Sequence, residues 1–278
     1  FYIAKQGDEM HFVFSVKPPK EEAVSSITAV AEVNGKTYDK ELVEISYEHI
    51  PKQTLLQTAT SKVVHMHIEK KGNRIGYIQG AGDAVPESLH QIGYDVTILD
   101  PNDISLEAIQ NFDAIVIGIR AYNTVEVMKF KQKFLLAYVK NGGNLIVQYN
   151  TSGRRSGVDV MAPYNLKVSR DRVTDENAIV TVLEKKHPLI NKPNKIEKSD
   201  FEGWTQERGL YFPNEWADEF TPILAMNDKG ESVKKGSLLV AKYGKGYYIY
   251  TGLSFFRELP AGVPGAYKLF ANMLSLGK

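Results

Sequence analysis

The sequence contains no cysteine. Disulfides, thiolate metal sites and a cysteine nucleophile are therefore excluded together. It also has no apolar run approaching the roughly 20 residues that a membrane-spanning helix needs. Charge of one sign is not in excess: 34 basic residues face 33 acidic ones, a net charge of +1. That balance gives no electrostatic case for a nucleic-acid or anionic-membrane partner. No internal repeat and no low-complexity tract interrupts the chain. It opens with "FYIAKQGDEMHFVFSV", without an initiator methionine or a signal peptide. The expectation is a stretch of a longer protein.

What is present is an ordinary globular chain of 278 residues, 43% hydrophobic, enough for one large or two modest domains. Residues 1 to 71 read as β. "MHFVFSVKPP" alternates, "ITAVAEVNGKTYDKELVEISY" reads as a hairpin turning at Asn34-Gly35, and "SKVVHMHIEK" alternates again. A partial, immunoglobulin-like sandwich module is expected. From residue 72 to 278 the pattern is α/β. "RIGYIQG", "DVTILD", "DAIVIGI" and "NLIVQYN" are short apolar strands. Between them lie helices opened by Asp83, by Ser105 and by Asn123, the last with a buried stripe of Phe134, Leu135, Tyr138 and Val139 and a stop at Gly142-Gly143. Apolar strands alternating with helices imply a parallel sheet covered on both faces. Further on, "AIVTVLEKKHPLI" offers a strand and a turn. "GSLLVAKYGKGYYIYTGLS" is a hairpin bending at Gly244-Lys245-Gly246, and a helix from Pro264 closes the chain.

Several motifs invite a chemical reading. "GYIQGAGDAV" supplies Gly80 and Gly82 of a dinucleotide loop, and Asp100 stands where a ribose-binding acid would. Val85 occupies the third glycine position, so a glycine-rich turn with a helix cap is preferred. "HMHIE" aligns His65, His67 and Glu69 on one strand face; zinc ligands or a polar outer face both fit. His187 is a candidate base or a structural turn residue. "SRDRVTDENA" is a salt-bridged loop or an anion clamp. "FEGWTQERGLYFPNEW" interleaves Trp204, Tyr211, Phe212 and Trp216 with Glu202, Gln206, Glu207 and Arg208. Such a stretch holds a sugar ring or packs down a long connection.

Open α/β sheets bind ligands beyond the carboxyl ends of their strands. Here those ends bring Gly82 and Asp83, then Arg120, Tyr122 and Asn123, then Gln148, Tyr149 and Asn150. With Trp204, Glu207 and Arg208 they form the expected ligand-binding set. These groups hydrogen-bond a neutral polyol well and titrate poorly near pH 7. A self-sufficient hydrolase is the alternative. It would need Ser152, Asp83 or Glu207 activated by His187 or a metal, and their spacing forms no coherent triad.

The strand and helix order from 74 to 150 resembles the flavodoxin-like, class I glutamine amidotransferase-like fold. Its trehalose-utilisation branch is the nearest, through "YGKGYYIYTGLS". By that resemblance the nucleophile turn is Gln148-Tyr149-Asn150, where cysteine is absent, and "HPL" at 187–189 replaces a His-x-Glu pair. Longer stretches, "YEHIPKQTLL", "IGYIQGAGDAVPESLHQIGYDVTILD", "SRDRVTDENAIVTVLEKKHPLIN", "DFEGWTQERGLYFPNEW" and "TGLSFFRELPAGVPGAYKLFANMLSL", resemble the C-terminal region of bacterial PIG-L (LmbE-like) N-deacetylases from about residue 40 onward. That family's zinc-dependent N-deacetylase domain carries a His-Pro-Asp-Asp-Glu run, which this chain lacks. The resemblance therefore implies an accessory region with no catalytic residue and no cofactor of its own. Zinc would belong only to the separate catalytic domain. Its partners would be that domain and an N-acetylated sugar or polysaccharide, and by analogy its location would be extracytoplasmic.

Overall fold

A computed structural model describes residues 2–5, 7–152 and 157–278. Gly153 lies outside them. The chain divides into two units, Phe1–His67 and Ile68–Lys278.

The first unit is β-rich, with β1 (Ala23–Thr28), β2 (Ala31–Val33), β3 (Lys36–Tyr38), β4 (Lys40–Ile45), β5 (Gln53–Thr58) and β6 (Thr60–His65). These pair two by two, β1 with β6, β2 with β3 and β4 with β5, all antiparallel. Asn34 and Gly35 both take left-handed backbone, as a two-residue hairpin turn requires. The segment 10–17, expected as a strand, is not one, and Val13 and Phe14 are 96% and 81% exposed. None of this unit's described residues is buried. Each of these sheets has only two strands, and no sandwich core forms among the unit's described residues.

The second unit is built on β7 (Arg74–Ile78), β8 (Asp95–Ile98), β9 (Ala114–Ile117) and β10 (Asn144–Gln148). Helices α1 (Val85–Gln91), α2 (Leu106–Ile109), α3 (Ala121–Thr124) and α4 (Met128–Lys140) connect them. Later come β11 (Leu166–Val173), β12 (Thr181–Val182), α5 (Pro188–Asn191), β13 (Gly209–Trp216), β14 (Phe220–Pro222), β15 (Leu224–Ala225), β16 (Leu238–Tyr243), β17 (Gly246–Thr251), α6 (Phe255–Glu258) and α7 (Pro264–Ser275). The main sheet runs β14-β16-β17-β10-β9-β7-β8. Strands β8, β7, β9, β10 and β17 are parallel, and β16 and β14 extend the sheet antiparallel. Taken in chain order the five parallel strands lie 2-1-3-4-5, the flavodoxin-like arrangement. The expected α/β, flavodoxin-like architecture is therefore present, and its order reverses between β7 and β9.

Burial follows the sequence. Every residue of β9 and β10 is buried. Leu145 and Val147 pack with Leu135, Tyr138 and Val139 of α4 in one core. On the opposite face Asn144 donates its side-chain amide to Met273 and Leu274 carbonyls at the end of α7. Helix α4 starts at Met128, not after Asn123, which lies inside α3. Its stripe also differs: Phe134 is only half-buried, whereas Gln132 is buried and bonded to the Tyr122 phenol and the Met161 carbonyl. A polar residue enters the stripe because partners for both its amide atoms are waiting there. Two segments expected as connections are strands: "SRDRV" falls in β11 and "GLYFPNEW" is β13, an irregular antiparallel pair.

Stability should be unequal between the units, because only the second has a buried core. Amide hydrogen exchange should find the amides of β9, β10 and β17 the slowest, and those of β1 to β6 faster by at least about a hundredfold.

Candidate functional site

The reversal point between β7 and β9 is closed by the chain itself. A Cβ on Gly80 would lie 2.1 Å from the Ile119 carbonyl, so the two strand ends touch backbone to backbone. Asp83 then ties them together. The Tyr77 hydroxyl donates to both its carboxylate oxygens at 2.6 and 2.7 Å, the Val85 N–H donates at 3.0 Å and the Ile119 N–H at 3.4 Å. Ala84 takes the capping position of α1, and Asp83 reaches the first helical amide from one residue earlier. The place where a dinucleotide phosphate would meet the start of α1 thus holds the chain's own carboxylate. Asp100 is equally occupied, accepting from the Asn102 backbone at 2.8 Å. Gly82, with φ of +92° and open space around it, completes an exposed turn.

The amides expected to face a ligand mostly face inward. Gln148 is buried and donates to the Tyr77 hydroxyl at 3.0 Å. Asn150 is fully buried; it accepts the Tyr122 N–H and donates to the Gln148 carbonyl, both at 3.0 Å. Asn123 pairs with the Thr151 backbone through both amide atoms. Tyr122 is buried against Gln132. Trp204 is 3% exposed and donates its indole N–H to the Asp200 carbonyl. Arg208 is 4% exposed, holds the Ala178 and Phe201 carbonyls and lies over the Trp204 ring. These side chains build the walls and do not line an opening.

Three of the expected residues, Arg120, Tyr149 and Glu207, do gather, together with three others, Tyr211, Phe256 and Arg257. Tyr149 leaves the end of β10 and is only 7% exposed. Its ring stacks on Tyr211 (centroids 5.7 Å apart, planes at 10°) and packs on Phe256 at 5.4 Å. The register explains this. Gln148 pairs with Thr251, so the chain after β17 emerges beside Tyr149 and carries Phe256 there. The Leu210 N–H donates to the Gly252 carbonyl and the Tyr250 hydroxyl to the Tyr211 carbonyl, which brings β13 alongside. Arg257 lies over Phe256 at 4.8 Å and donates to Glu207 at 3.0 Å. The Tyr149 hydroxyl has no hydrogen-bond partner among the described residues, and it is not sealed away from solvent. Burial raises its pKa, the Arg120 charge works against that rise, and Arg257 and Glu207 also act on it. It stays protonated at neutral pH, a donor and not an anion.

Among the described residues of this unit, three other than glycine take left-handed backbone: Arg120, Gln206 and Tyr211. Two carry side chains of the cluster and the third precedes Glu207. Strain of this kind persists where surrounding structure enforces it. Phe256 and Arg257 went unremarked in the sequence, yet "SFFREL" follows directly on the strand paired to β10. Their adjacency is a matter of strand order.

The other candidate acid–base groups lie elsewhere. His187 caps α5, its Nδ1 accepting the Leu189 N–H at 3.1 Å, and burial lowers its pKa. Ser152 is exposed. Glu258 is fully buried, accepts the Thr205 N–H at 2.9 Å and lies 3.4 Å from the Ser254 hydroxyl, also fully buried. Burial raises its pKa to about 7. The His65 ring contacts the Glu21 carbonyl, and β6 ends at that histidine. Among the described residues no three His, Asp or Glu side chains gather in a way that could hold a metal. No helix of the described residues is long and apolar enough to cross a membrane.

Two outcomes follow. Gly80→Ala should destabilise the unit by about 2–3 kcal/mol in denaturant unfolding, since neither backbone can yield. The Glu258 carboxyl binds its proton more tightly folded than unfolded. Its contribution therefore favours the folded state at low pH and is lost as pH rises from 4.5 through about 7. Glu258→Gln should remove a stability difference on the order of 2 kcal/mol between pH 4.5 and 8, read from parallel urea melts.

No family model matches the chain, and no curated protein matches it. Solved structures do. A GMP synthase component from Thermoplasma acidophilum is 12% identical, with 76% of this chain and 96% of that one covered, at a TM-score of 0.46. A ThuA-like protein from Bacteroides uniformis is 13% identical over 75% of this chain and 92% of its own, at 0.44. A chain of PurLQS from Thermotoga maritima is 12% identical over 75% and 100%, at 0.45. The fold assignment rests on the strand order and directions described above.

Proposed function

We propose that this chain is the non-catalytic accessory region of a sugar N-deacetylase of the PIG-L type, and that its sheet-end cluster binds carbohydrate. The observation that carries this reading is Tyr149. Its phenol is nine-tenths buried, lacks a partner among the described residues and is flanked by the Tyr211 and Phe256 rings. Aromatic faces offer the apolar side of a pyranose a flat contact, and a free hydroxyl takes one of its polar edges. The long sequence stretches that resemble the family's C-terminal region support the assignment to a deacetylase. On that assignment the zinc-bearing catalytic domain is a partner outside these residues, and an extracytoplasmic location is part of the same proposal.

The groups a hydrolase would need are committed to structure: Asp83 to Tyr77, Glu207 to Arg257 and His187 to its helix. Binding in place of cleavage is the reading this favours. Titrating the protein with oligomers of N-acetylglucosamine should shift NMR signals of Tyr149, Tyr211 and Phe256. Tyr149→Ala and Tyr211→Ala should each weaken binding about tenfold, the scale of one lost aromatic contact. Unmoved signals at these residues would refute the carbohydrate reading, and turnover of the oligomers by this chain alone would refute the non-catalytic one.

A further inference from the structure

We infer that the groove along β12 is a docking site for an extended segment of another protein, apolar at its centre and acidic at its ends, which adds to β12 as a further strand. The groove shares no residue with the Tyr149 cluster, and the inference does not depend on the carbohydrate reading.

A cavity of about 550 Å³ is lined on one side by the chain from Ile179 to Val182. Its other apolar lining comes from Ile190, Ile196 and Phe201, all three buried. The backbone of the Ile179 side is only half paired. β12 meets β15 with Thr181 opposite Ala225, and the Leu183 N–H donates to the Ile223 carbonyl at 2.9 Å. Along an antiparallel strand, successive residues turn their backbone groups toward and away from the partner. Thr181 and Leu183 therefore face β15, and Val180 and Val182 turn their N–H and carbonyl groups the other way. Among the described residues neither valine finds a backbone partner on that side, and both line the cavity. Free groups on every second residue are what an added strand pairs with. Edge strands are ordinarily blunted by charge or proline. Residues 178–182, "AIVTV", carry neither, and Ile179 is 82% exposed.

Charge selects the occupant. Four charged side chains line the cavity: Lys185, Lys195, Glu197 and Lys198. Lys195 and Glu197 pair at 2.7 Å, whereas Lys185 and Lys198 have no ion-pair partner among the described residues. Acidic residues flanking a docked segment meet these two ammonium groups, and basic ones are repelled by them. An acyl chain would suit the apolar lining but leave the valine amides unmet. An extended peptide satisfies lining, edge and charge together.

The test uses the full chain and capped pentapeptides with a valine-isoleucine-valine centre and either glutamate or lysine at both ends. In NMR titrations the glutamate peptide should bind at least about tenfold more tightly at low salt, and the preference should fall below about threefold near 0.5 M salt. At saturation, hydrogen exchange of the Val180 and Val182 amides should slow by at least about tenfold, which side-chain contact alone would not produce. The double change Lys185→Glu with Lys198→Glu, at two exposed positions, should reverse the preference. Exchange on the unmodified protein decides the strand pairing even if that variant fails to fold. Equal affinity for the two peptides would overturn the acidic assignment, and binding without slowed exchange would overturn strand addition. Binding of neither peptide would overturn the docking site, as would equal protection of both valine amides by laurate or by self-association of the chain without peptide.

Discussion

One carboxylate holds the carboxyl end of the sheet together. Asp83 receives the Tyr77 hydroxyl, the first amide of α1 and the Ile119 amide, and through Tyr77 it reaches Gln148. It therefore joins β7, β9 and β10 at the point where strand order reverses. In an open α/β sheet that point is ordinarily a crevice. Here an internal anion fills it, over a backbone contact at Gly80 that leaves no room for a side chain. Burial, and then the Asp83 charge, push the Tyr77 phenol far above its ordinary pKa, so this donor never titrates away in the physiological range. On the proposed reading the ligand position lies at the β10–β17 boundary, where Tyr149 emerges.

That displacement changes what the site is made of. Amides lining a cleft would suit a neutral polyol. Gln148, Asn150 and Asn123 instead spend their hydrogen bonds on the strand ends and on the loop after β10. Buried amides so engaged cannot be redirected to a ligand without leaving the chain unsatisfied. Among the described residues the strand end keeps a phenol without a partner, the Tyr211 and Phe256 rings packed against it, and an Arg257 guanidinium bonded to Glu207.

The fold was largely legible because it depends on local signals. Apolar runs such as Ile115 to Ile117 and Leu145 to Val147, punctuated by Asn34-Gly35, Gly142-Gly143 and Gly244, report strands, turns and helix stops directly. The exceptions are instructive. "MHFVFSV" alternates like a strand, but alternation supplies no partner, and none of the first unit's described residues is buried. "GLYFPNEW" contains a proline and reads as a connection, but it pairs at the irregular edge of β11, where proline is tolerated. The site was legible only in part. Tyr149 and Arg120 follow from the rule that strand ends carry function. Phe256 and Arg257 lie over a hundred residues away and arrive through the register of β17 on β10. Nothing in a linear pattern distinguishes Asn150, which is sealed, from Tyr149 beside it, which is not.

The same register bears on why the site would, on the proposed reading, hold without reacting. By resemblance to active amidotransferases, the nucleophile would stand at Gln148-Tyr149-Asn150. No residue of that turn takes left-handed backbone; in the neighbouring βα turn Arg120 does. The conformation that would lift a nucleophile out of the sheet thus presents a guanidinium, which can neither attack nor accept a proton. The hydroxyl that stands at the strand end belongs to Tyr149, whose raised pKa keeps it a donor. The one carboxyl whose pKa approaches neutrality, Glu258, lies buried against Thr205 and Ser254. Proton transfer needs a base within hydrogen-bond reach of the reacting group. Here the carboxyl nearest neutrality is sealed, and the phenol at the strand end stays protonated, a division that fits the recognition role proposed above.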